Sequence, residues 1–207
     1  MTARSLRQIV GLAPALQLGS RLAANKTALL LIDYQQEYCQ GPLALPDEAT
    51  ASAITRRLRA WAEAAGLPVI HVQHVAPAGS LLFGSGSLGA EAIDGLAPAA
   101  GQTVIAKHLP SAFAGTSLAE ALAGATIDTL LIAGFMTHNC VDSTARDAFH
   151  RGYRVSIVAD ACATRDLPGF GGATIPAVQV HAAVLAGLGD RIAEIVDLAT
   201  LETLHVG

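Results

Sequence analysis

The chain has 207 residues, 52% of them hydrophobic and 14% charged, which is enough to bury a core as one domain spanning residues 1–207. A net charge of -4 offers no basic surface for nucleic acid or for an anionic membrane, so we expect small molecules as partners. Three cysteines in a chain of this size argue against a disulfide framework and favour a cytoplasmic location.

The N-terminal stretch, residues 1–26, contains arginines among short apolar runs that Gln8, Gly11 and Pro14 interrupt. These runs are too short for a signal peptide, and none in the chain approaches the roughly 18 apolar residues needed to cross a bilayer. We therefore expect an N-terminal arm that packs on the core or on a neighbouring subunit.

Apolar runs of strand length recur along the chain, with helical segments between them. They cover residues 28–32, 68–75, 103–106, 129–133, 153–159 and 192–196. This βαβ rhythm predicts a three-layer α/β/α, Rossmann-like fold, with a mainly parallel sheet of six strands in the order 3-2-1-4-5-6 and helices on both faces. In such folds, ligands bind beyond the carboxyl ends of the strands.

Helical patterns occupy residues 50–65, 117–122, 140–151 and 176–188. In the first of them, Ile54, Leu58 and Trp61 recur at helical spacing with arginines between them, as in an amphipathic crossover helix. Residues 76–102 are rich in Gly, Ala, Pro and Ser and predict a long loop with a helical turn at residues 90–94. Because long loops in compact domains are often functional, this one is a candidate lid.

Three reactive side chains follow predicted strands. Asp33 comes directly after the first strand, Lys107 after the third and Cys140 shortly after the fourth. Cys140 should lie in the first turn of a helix, where free N–H groups and the helix dipole stabilise a thiolate, so we expect a lowered pKa. The alternatives are a structural cysteine, a helix-capping acid and a surface lysine.

Four segments, in this order, resemble the isochorismatase-like cysteine hydrolase superfamily, which includes nicotinamidases and N-carbamoylsarcosine amidohydrolase. They are LLIDYQ at residues 30–35, KHLPSAFAGT at 107–116, GFMTHNCVDSTARDA at 134–148 and VADA at 158–161. The resemblance extends over about residues 27–196. It implies hydrolysis without a cofactor, by a homodimer or homotetramer.

The resemblance also implies roles for individual residues. It assigns a catalytic triad to Asp33, Lys107 and Cys140, a cis peptide bond to Phe135-Met136, and an oxyanion hole to the backbone N–H groups of Met136 and Cys140. Asp33 would take the thiol proton, and the thiolate would attack an amide carbonyl to form a thioester that water then hydrolyses. The expected reaction is cleavage of a small carboxamide or ureido C–N bond.

Five further residues are candidates for the walls of a substrate pocket: Tyr38, His74, Phe113, Thr137 and Asn139. Core packing is the alternative for the two aromatic residues, and a structural role is the alternative for His74. Nicotinamidases bind a metal through an Asp-x-His pattern that this sequence lacks. Because His71 and His74 would point to opposite faces of a strand, we expect neither a metal nor a cofactor.

Three other functions are also compatible with the sequence. A thiol-based redox sensor would use an activated Cys140 without turnover, and a partner-binding module on the same fold would need no reactive thiol. The isochorismate-cleaving branch of the superfamily hydrolyses a vinyl ether without a nucleophilic cysteine. Cys140 therefore favours amide hydrolysis over ether hydrolysis.

Overall fold

The computed structural model of the chain describes residues 3–12 and 22–206. Its strands are β1 (Thr27–Ile32), β2 (Val69–His74), β3 (Thr103–Lys107), β4 (Thr129–Gly134), β5 (Arg154–Val158), β6 (Leu167–Pro168), β7 (Thr174–Ile175) and β8 (Glu194–Val196). Six of them form a parallel sheet in the order β3-β2-β1-β4-β5-β8, while β6 and β7 form a separate antiparallel ribbon. The predicted order 3-2-1-4-5-6 is confirmed, because β8 is the sixth strand of this sheet.

The α-helices are α1 (Leu6–Val10), α2 (Glu48–Ala64), α3 (Leu118–Gly124), α4 (Asp142–His150), α5 (Ala177–Arg191) and α6 (Leu198–Glu202). Helices α2 to α5 correspond to the four predicted helical segments. Helix α6 was not predicted, because five residues give too little periodicity, and it begins where Asp197 accepts a hydrogen bond from the N–H of Thr200. Among the described residues, no helix is long and apolar enough to cross a membrane.

The sheet is buried on both faces, which explains why its central strands are apolar along their whole length. Leu29 and Leu31 of β1 face one core cluster, where Leu58 of α2 packs. Leu30 faces the opposite cluster, which includes Leu122 of α3 and residues of α4 and α5. Burial of each such leucine contributes about 1.5–3 kcal/mol, so the strands give their carboxyl ends a rigid base.

Within the N-terminal arm, residues 3–12 contact α5. The N–H of Leu6 donates to Oδ1 of Asp190 at 2.7 Å, and Ser5 caps α1. Residues 1, 2 and 13–21 of the predicted arm lie outside the described residues. A contact between the arm and a neighbouring subunit stays a prediction.

The predicted long loop, residues 76–102, is tied to the segment that follows β1. The N–H of Gln36 donates to the carbonyl of Glu91 at 2.8 Å, and the N–H of Ile93 donates to the backbone carbonyl of Tyr34 at 3.0 Å. Its helical turn covers Leu88–Ala90 instead of residues 90–94, because this extended pairing with the chain after β1 begins at Glu91.

Gly134 is the last residue of β4 and lies beside the end of β1. It pairs with Ile32, and a Cβ added to Gly134 would lie 2.4 Å from the backbone oxygen of Ile32 and 2.7 Å from its Cβ. Neither atom can move away, since both belong to the buried central strand. Glycine is therefore required here for close approach of two backbones.

We expect Gly134→Ala to lower the free energy of unfolding by at least about 2 kcal/mol, because the added methyl group overpacks the centre of the sheet. Urea denaturation would measure the change. Gly187→Ala is the matched control: this glycine lies inside α5 with nothing within 4 Å of the added Cβ, so alanine should stabilise the protein by about 0.5–1 kcal/mol. Equal stability of Gly134→Ala and wild type would contradict the packing described.

Candidate active site

Asp33 follows β1 directly at the carboxyl edge of the sheet. Its backbone has a φ of 55°, a left-handed conformation that is uncommon for a residue other than glycine, and its N–H donates to the carbonyl of Val72 at 2.8 Å. The side chain is fully buried. The strand ends thus fix a carboxyl group in the interior, where a charge needs a partner.

That partner is Lys107, the last residue of β3. Its Nζ lies 2.7 Å from Oδ2 of Asp33, and neither side chain is exposed to solvent. The same ammonium donates a hydrogen bond to Sγ of Cys140 at 3.2 Å. The three reactive residues singled out in the sequence therefore meet in one buried cluster.

Cys140 lies in a π-helical turn, Thr137–Val141, that precedes α4. Cys140 therefore lies in the turn directly before the α-helix and not in its first turn, since α4 begins at Asp142. The N–H of Val141 donates to the carbonyl of Met136 at 3.3 Å, which is the wider spacing of a π-turn. Such turns occur frequently at functional sites, where they re-aim a side chain.

The expected fall in the pKa of Cys140 is wrong. Burial, followed by the negative charge of Asp33, raises the pKa of Cys140 to about 12, and Lys107 only partly opposes this. The thiol is 3% exposed, so desolvation outweighs the dipole of a short turn. Burial also raises the pKa of Asp33, again against the charge of Lys107. In the resting site, Cys140 is therefore a neutral thiol.

The segment before Cys140 turns sharply. The peptide bond between Phe135 and Met136 is cis. Within residues 3–12 and 22–206, the backbone N–H of Met136 has no hydrogen-bond acceptor. The ring of Phe135 is buried against Tyr34 at 4.7 Å and Tyr38 at 5.6 Å between centroids.

Two of the five pocket candidates lie beside the cluster. The half-buried His74 places Nδ1 3.2 Å from Nζ of Lys107. Tyr38 is buried, and burial, followed by the negative charge of Asp33, raises its pKa. Both rings pack against the ring of Phe83, with centroids 5.0 Å apart for His74 and 5.4 Å apart for Tyr38.

The other three candidates differ in their surroundings. Phe113 packs in the core, with its ring 5.8 Å from that of Tyr153 and beneath the guanidinium of Arg151, so the structure gives it a packing role. Thr137 is buried, and its hydroxyl donates to the carbonyl of Ala163 at 3.1 Å. Asn139 is half-buried on the same turn as Cys140.

Three residues were missed as candidates, and the first two of them lie beside the cluster. Gln35 spans β1 and β2: its Oε1 accepts from the N–H of His74 at 2.8 Å, and its Nε2 donates back to the carbonyl of His74 at 2.9 Å. Phe83 was the lone aromatic residue of a loop rich in small residues, which was the available signal. Arg165 has a buried Nε without an acceptor among the described residues.

The histidines make local contacts. His71 faces the side opposite to His74 on β2 and contacts Oε1 of Gln102 through Nε2 at 2.9 Å. In the part of the chain that the structure describes, no three His, Cys, Asp or Glu side chains are arranged to hold a metal ion. The three cysteines are free.

Comparisons with known proteins identify the family of this chain. The isochorismatase domain model matches residues 27–199. A secreted isochorismatase effector of Verticillium dahliae is 36% identical over 187 residues, which cover 90% of this chain and 93% of the effector. A maleamate amidohydrolase of Pseudomonas putida is 32% identical over 164 residues, 71% of this chain and 77% of the enzyme.

A solved structure gives the same answer for the fold. An isochorismatase from Pseudomonas putida superimposes with a TM-score of 0.88 at 35% identity, over 96% of this chain and 99% of that protein. Sequence and fold thus agree over nearly the whole chain, and the chain belongs to the isochorismatase family of hydrolases.

Proposed function

We propose that this chain is a cysteine-dependent amidohydrolase that cleaves the C–N bond of a small carboxamide or ureido compound. One observation carries the proposal: Nζ of Lys107 contacts both Oδ2 of Asp33, at 2.7 Å, and Sγ of Cys140, at 3.2 Å, inside the protein. An acid, a cation and a thiol in mutual contact are what proton transfer and nucleophilic attack require. The similarity to maleamate amidohydrolase supports amide chemistry.

The first step follows from the charges of the site. Burial keeps the proton on Cys140 and raises the proton affinity of Asp33. As an amide carbonyl approaches, the S–H bond breaks, Asp33 takes the proton, and a C–S bond forms at the carbonyl carbon. The ammonium of Lys107 stabilises the thiolate while it exists.

The negative oxygen of the tetrahedral intermediate would be held by the backbone N–H groups of Met136 and Cys140. Donors of this kind are worth about 2.7–4 kcal/mol each in other enzymes. Asp33 then returns its proton to the leaving nitrogen, the C–N bond breaks, and a thioester remains on Cys140. Asp33 next takes a proton from water, whose oxygen attacks the thioester. The C–S bond then breaks, the acid leaves, and Asp33 returns the proton to Sγ of Cys140.

The surrounding residues support a small, partly aromatic pocket. Tyr38, His74 and Phe83 are assigned to one wall of the pocket. Thr137 and Asn139, which lie on the π-helical turn that carries Cys140, are assigned to the wall beside the thiol. Residues 76–102 carry Phe83, so we propose that this loop covers the pocket. A homodimer or homotetramer, and a cytoplasmic location, stay predictions.

A redox sensor is the weaker alternative. Thiols that sense peroxide are exposed and have a low pKa, whereas Cys140 is buried and its pKa is raised. Ether hydrolysis of the isochorismate type would leave the contact between Lys107 and Cys140 without a purpose. Neither alternative gains support from the site.

Arg165 suggests which small amides would fit. It follows Thr164, whose hydroxyl contacts His138 on the π-helical turn that carries Cys140. Burial, followed by the charge of Arg165, lowers the pKa of that histidine. The Nε of Arg165 is buried with no acceptor among the described residues. Because a guanidinium pairs best with a carboxylate, we propose a substrate that carries one.

Cys140→Ala should abolish hydrolysis across a panel of small amides and ureido compounds, because no other group can form the thioester. Rapid quenching followed by intact-protein mass spectrometry should detect an acyl adduct in the wild type that is missing in this variant. Cys39→Ala is the matched control, since it removes an exposed thiol and should keep both the adduct and the activity. Turnover by Cys140→Ala would rule out covalent catalysis.

Asp33→Asn should have opposite effects on the thiol and on turnover. Removing the negative charge lowers the pKa of Cys140, so alkylation by iodoacetamide at pH 8 should accelerate by about tenfold or more, while hydrolysis is lost with the base. Asp160→Asn is the control, because this acid also follows a strand but contacts Leu198 instead. Slower alkylation in Asp33→Asn would contradict the assignment.

Arg165→Gln should raise KM by roughly tenfold or more for an amide that carries a carboxylate, because it removes a charged hydrogen bond. Its effect on KM for a neutral amide of similar size should be small. Arg165→Lys retains the charge and should recover part of the loss. Steady-state kinetics would decide, and equal effects on both amides would argue against a carboxylate contact.

A further inference from the structure

We propose that His74 is a positioning residue that fixes the ammonium of Lys107 between Asp33 and Cys140. The inference rests on the proposed function, because it assigns His74 to the same site. It goes beyond a wall of the substrate pocket, since His74 would act through the lysine and not on the substrate.

The contacts of the ammonium carry the inference. A lysine ammonium has three N–H donors and no acceptor. Nζ of Lys107 has three partners within hydrogen-bond distance: Oδ2 of Asp33 at 2.7 Å, Sγ of Cys140 at 3.2 Å and Nδ1 of His74 at 3.2 Å. The ammonium is therefore bound by an ion pair to Asp33 and by hydrogen bonds to Cys140 and His74. Of the three partners, His74 is the one that the proposed chemistry leaves unchanged throughout.

This contact requires one particular form of the histidine. Nδ1 must be unprotonated to accept from an ammonium, so the ring proton must lie on Nε2. Burial, then the charges of Lys107 and His108, lowers the pKa of His74 to about 4. The ring is thus neutral at the pH of ordinary assays, and it adds no second positive charge beside Lys107.

The fold holds His74 in place from three sides. His74 and Lys107 are register partners in the parallel pair of β2 and β3, so their side chains leave the sheet together. The side chain of Gln35 makes two hydrogen bonds to the backbone of His74, of 2.8 and 2.9 Å. Phe83 packs against the ring at 5.0 Å. A residue that merely lined a pocket would not need such restraint.

Two substitutions of His74 distinguish the loss of its hydrogen-bond acceptor from a change in the shape of its side chain. His74→Phe keeps a ring against Phe83 but removes the acceptor. His74→Asn supplies a carbonyl oxygen near the position of Nδ1 and cannot titrate. Alkylation of Cys140 by iodoacetamide at pH 8, followed by mass spectrometry, reads the thiolate fraction without any substrate.

His74→Phe should slow this alkylation by about tenfold, because an ammonium that is no longer aimed at Sγ stabilises the thiolate less. His74→Asn should recover most of the loss. A purely structural role predicts the opposite sign for His74→Phe, since loosening the site exposes a buried thiol and speeds its alkylation. Thermal denaturation would verify that both variants are folded.

His71→Phe is the matched control, because it removes another buried histidine and its hydrogen bond from the same strand without touching Lys107. Its alkylation rate should equal that of the wild type. The inference is overturned if His74→Phe reacts as fast as the wild type or faster, if His74→Asn is as slow as His74→Phe, or if His71→Phe is equally slow. Turnover by Cys140→Ala would instead defeat the proposed function itself.

Discussion

The buried ion pair between Asp33 and Lys107 is the interaction on which the rest of this site depends. Its charged atoms lie 2.7 Å apart, and neither side chain reaches solvent. Removing one partner of such a pair usually costs about 3–5 kcal/mol, because the other charge stays buried and unpaired. The sheet can hold the pair because β1 and β3 are parallel and end at the same edge. The strained backbone at Asp33 and the glycine at position 134 belong to the same crowded junction of strands.

In the proposed mechanism, this pair also decides how the thiol is activated. A helix dipole would favour a Cys140 that is ionised before substrate binds. Burial and the charge of Asp33 have the larger effect and keep Cys140 protonated. We infer that the thiolate forms only as the proton moves to Asp33, with Lys107 compensating the charge at each stage. Storing the nucleophile as a thiol protects it from oxidation, since the thiolate is the reactive form.

Much of the fold and the meeting of Asp33, Lys107 and Cys140 could be predicted from the sequence, because long apolar runs mark strands and parallel strands end at one edge. The π-turn, α6 and the exact helical turn in the long loop could not, since each depends on contacts between distant residues or covers too few residues to show a period. For the same reason the sequence did not reveal that Phe113 packs on Tyr153. The sign of the pKa change at Cys140 depended on the depth of burial, which no local pattern contains.

The protonation state of Cys140 is the most direct test of this account. Ultraviolet absorbance of the thiolate, recorded between pH 5 and pH 10 as the difference between wild type and Cys140→Ala, would measure it. We predict no titration step in this range, because a pKa of about 12 leaves only about 1% of Cys140 as thiolate at pH 10. A titration step below pH 8 would show that Cys140 is already ionised in the free protein. That result would contradict proton transfer to Asp33 as the event that activates the thiol.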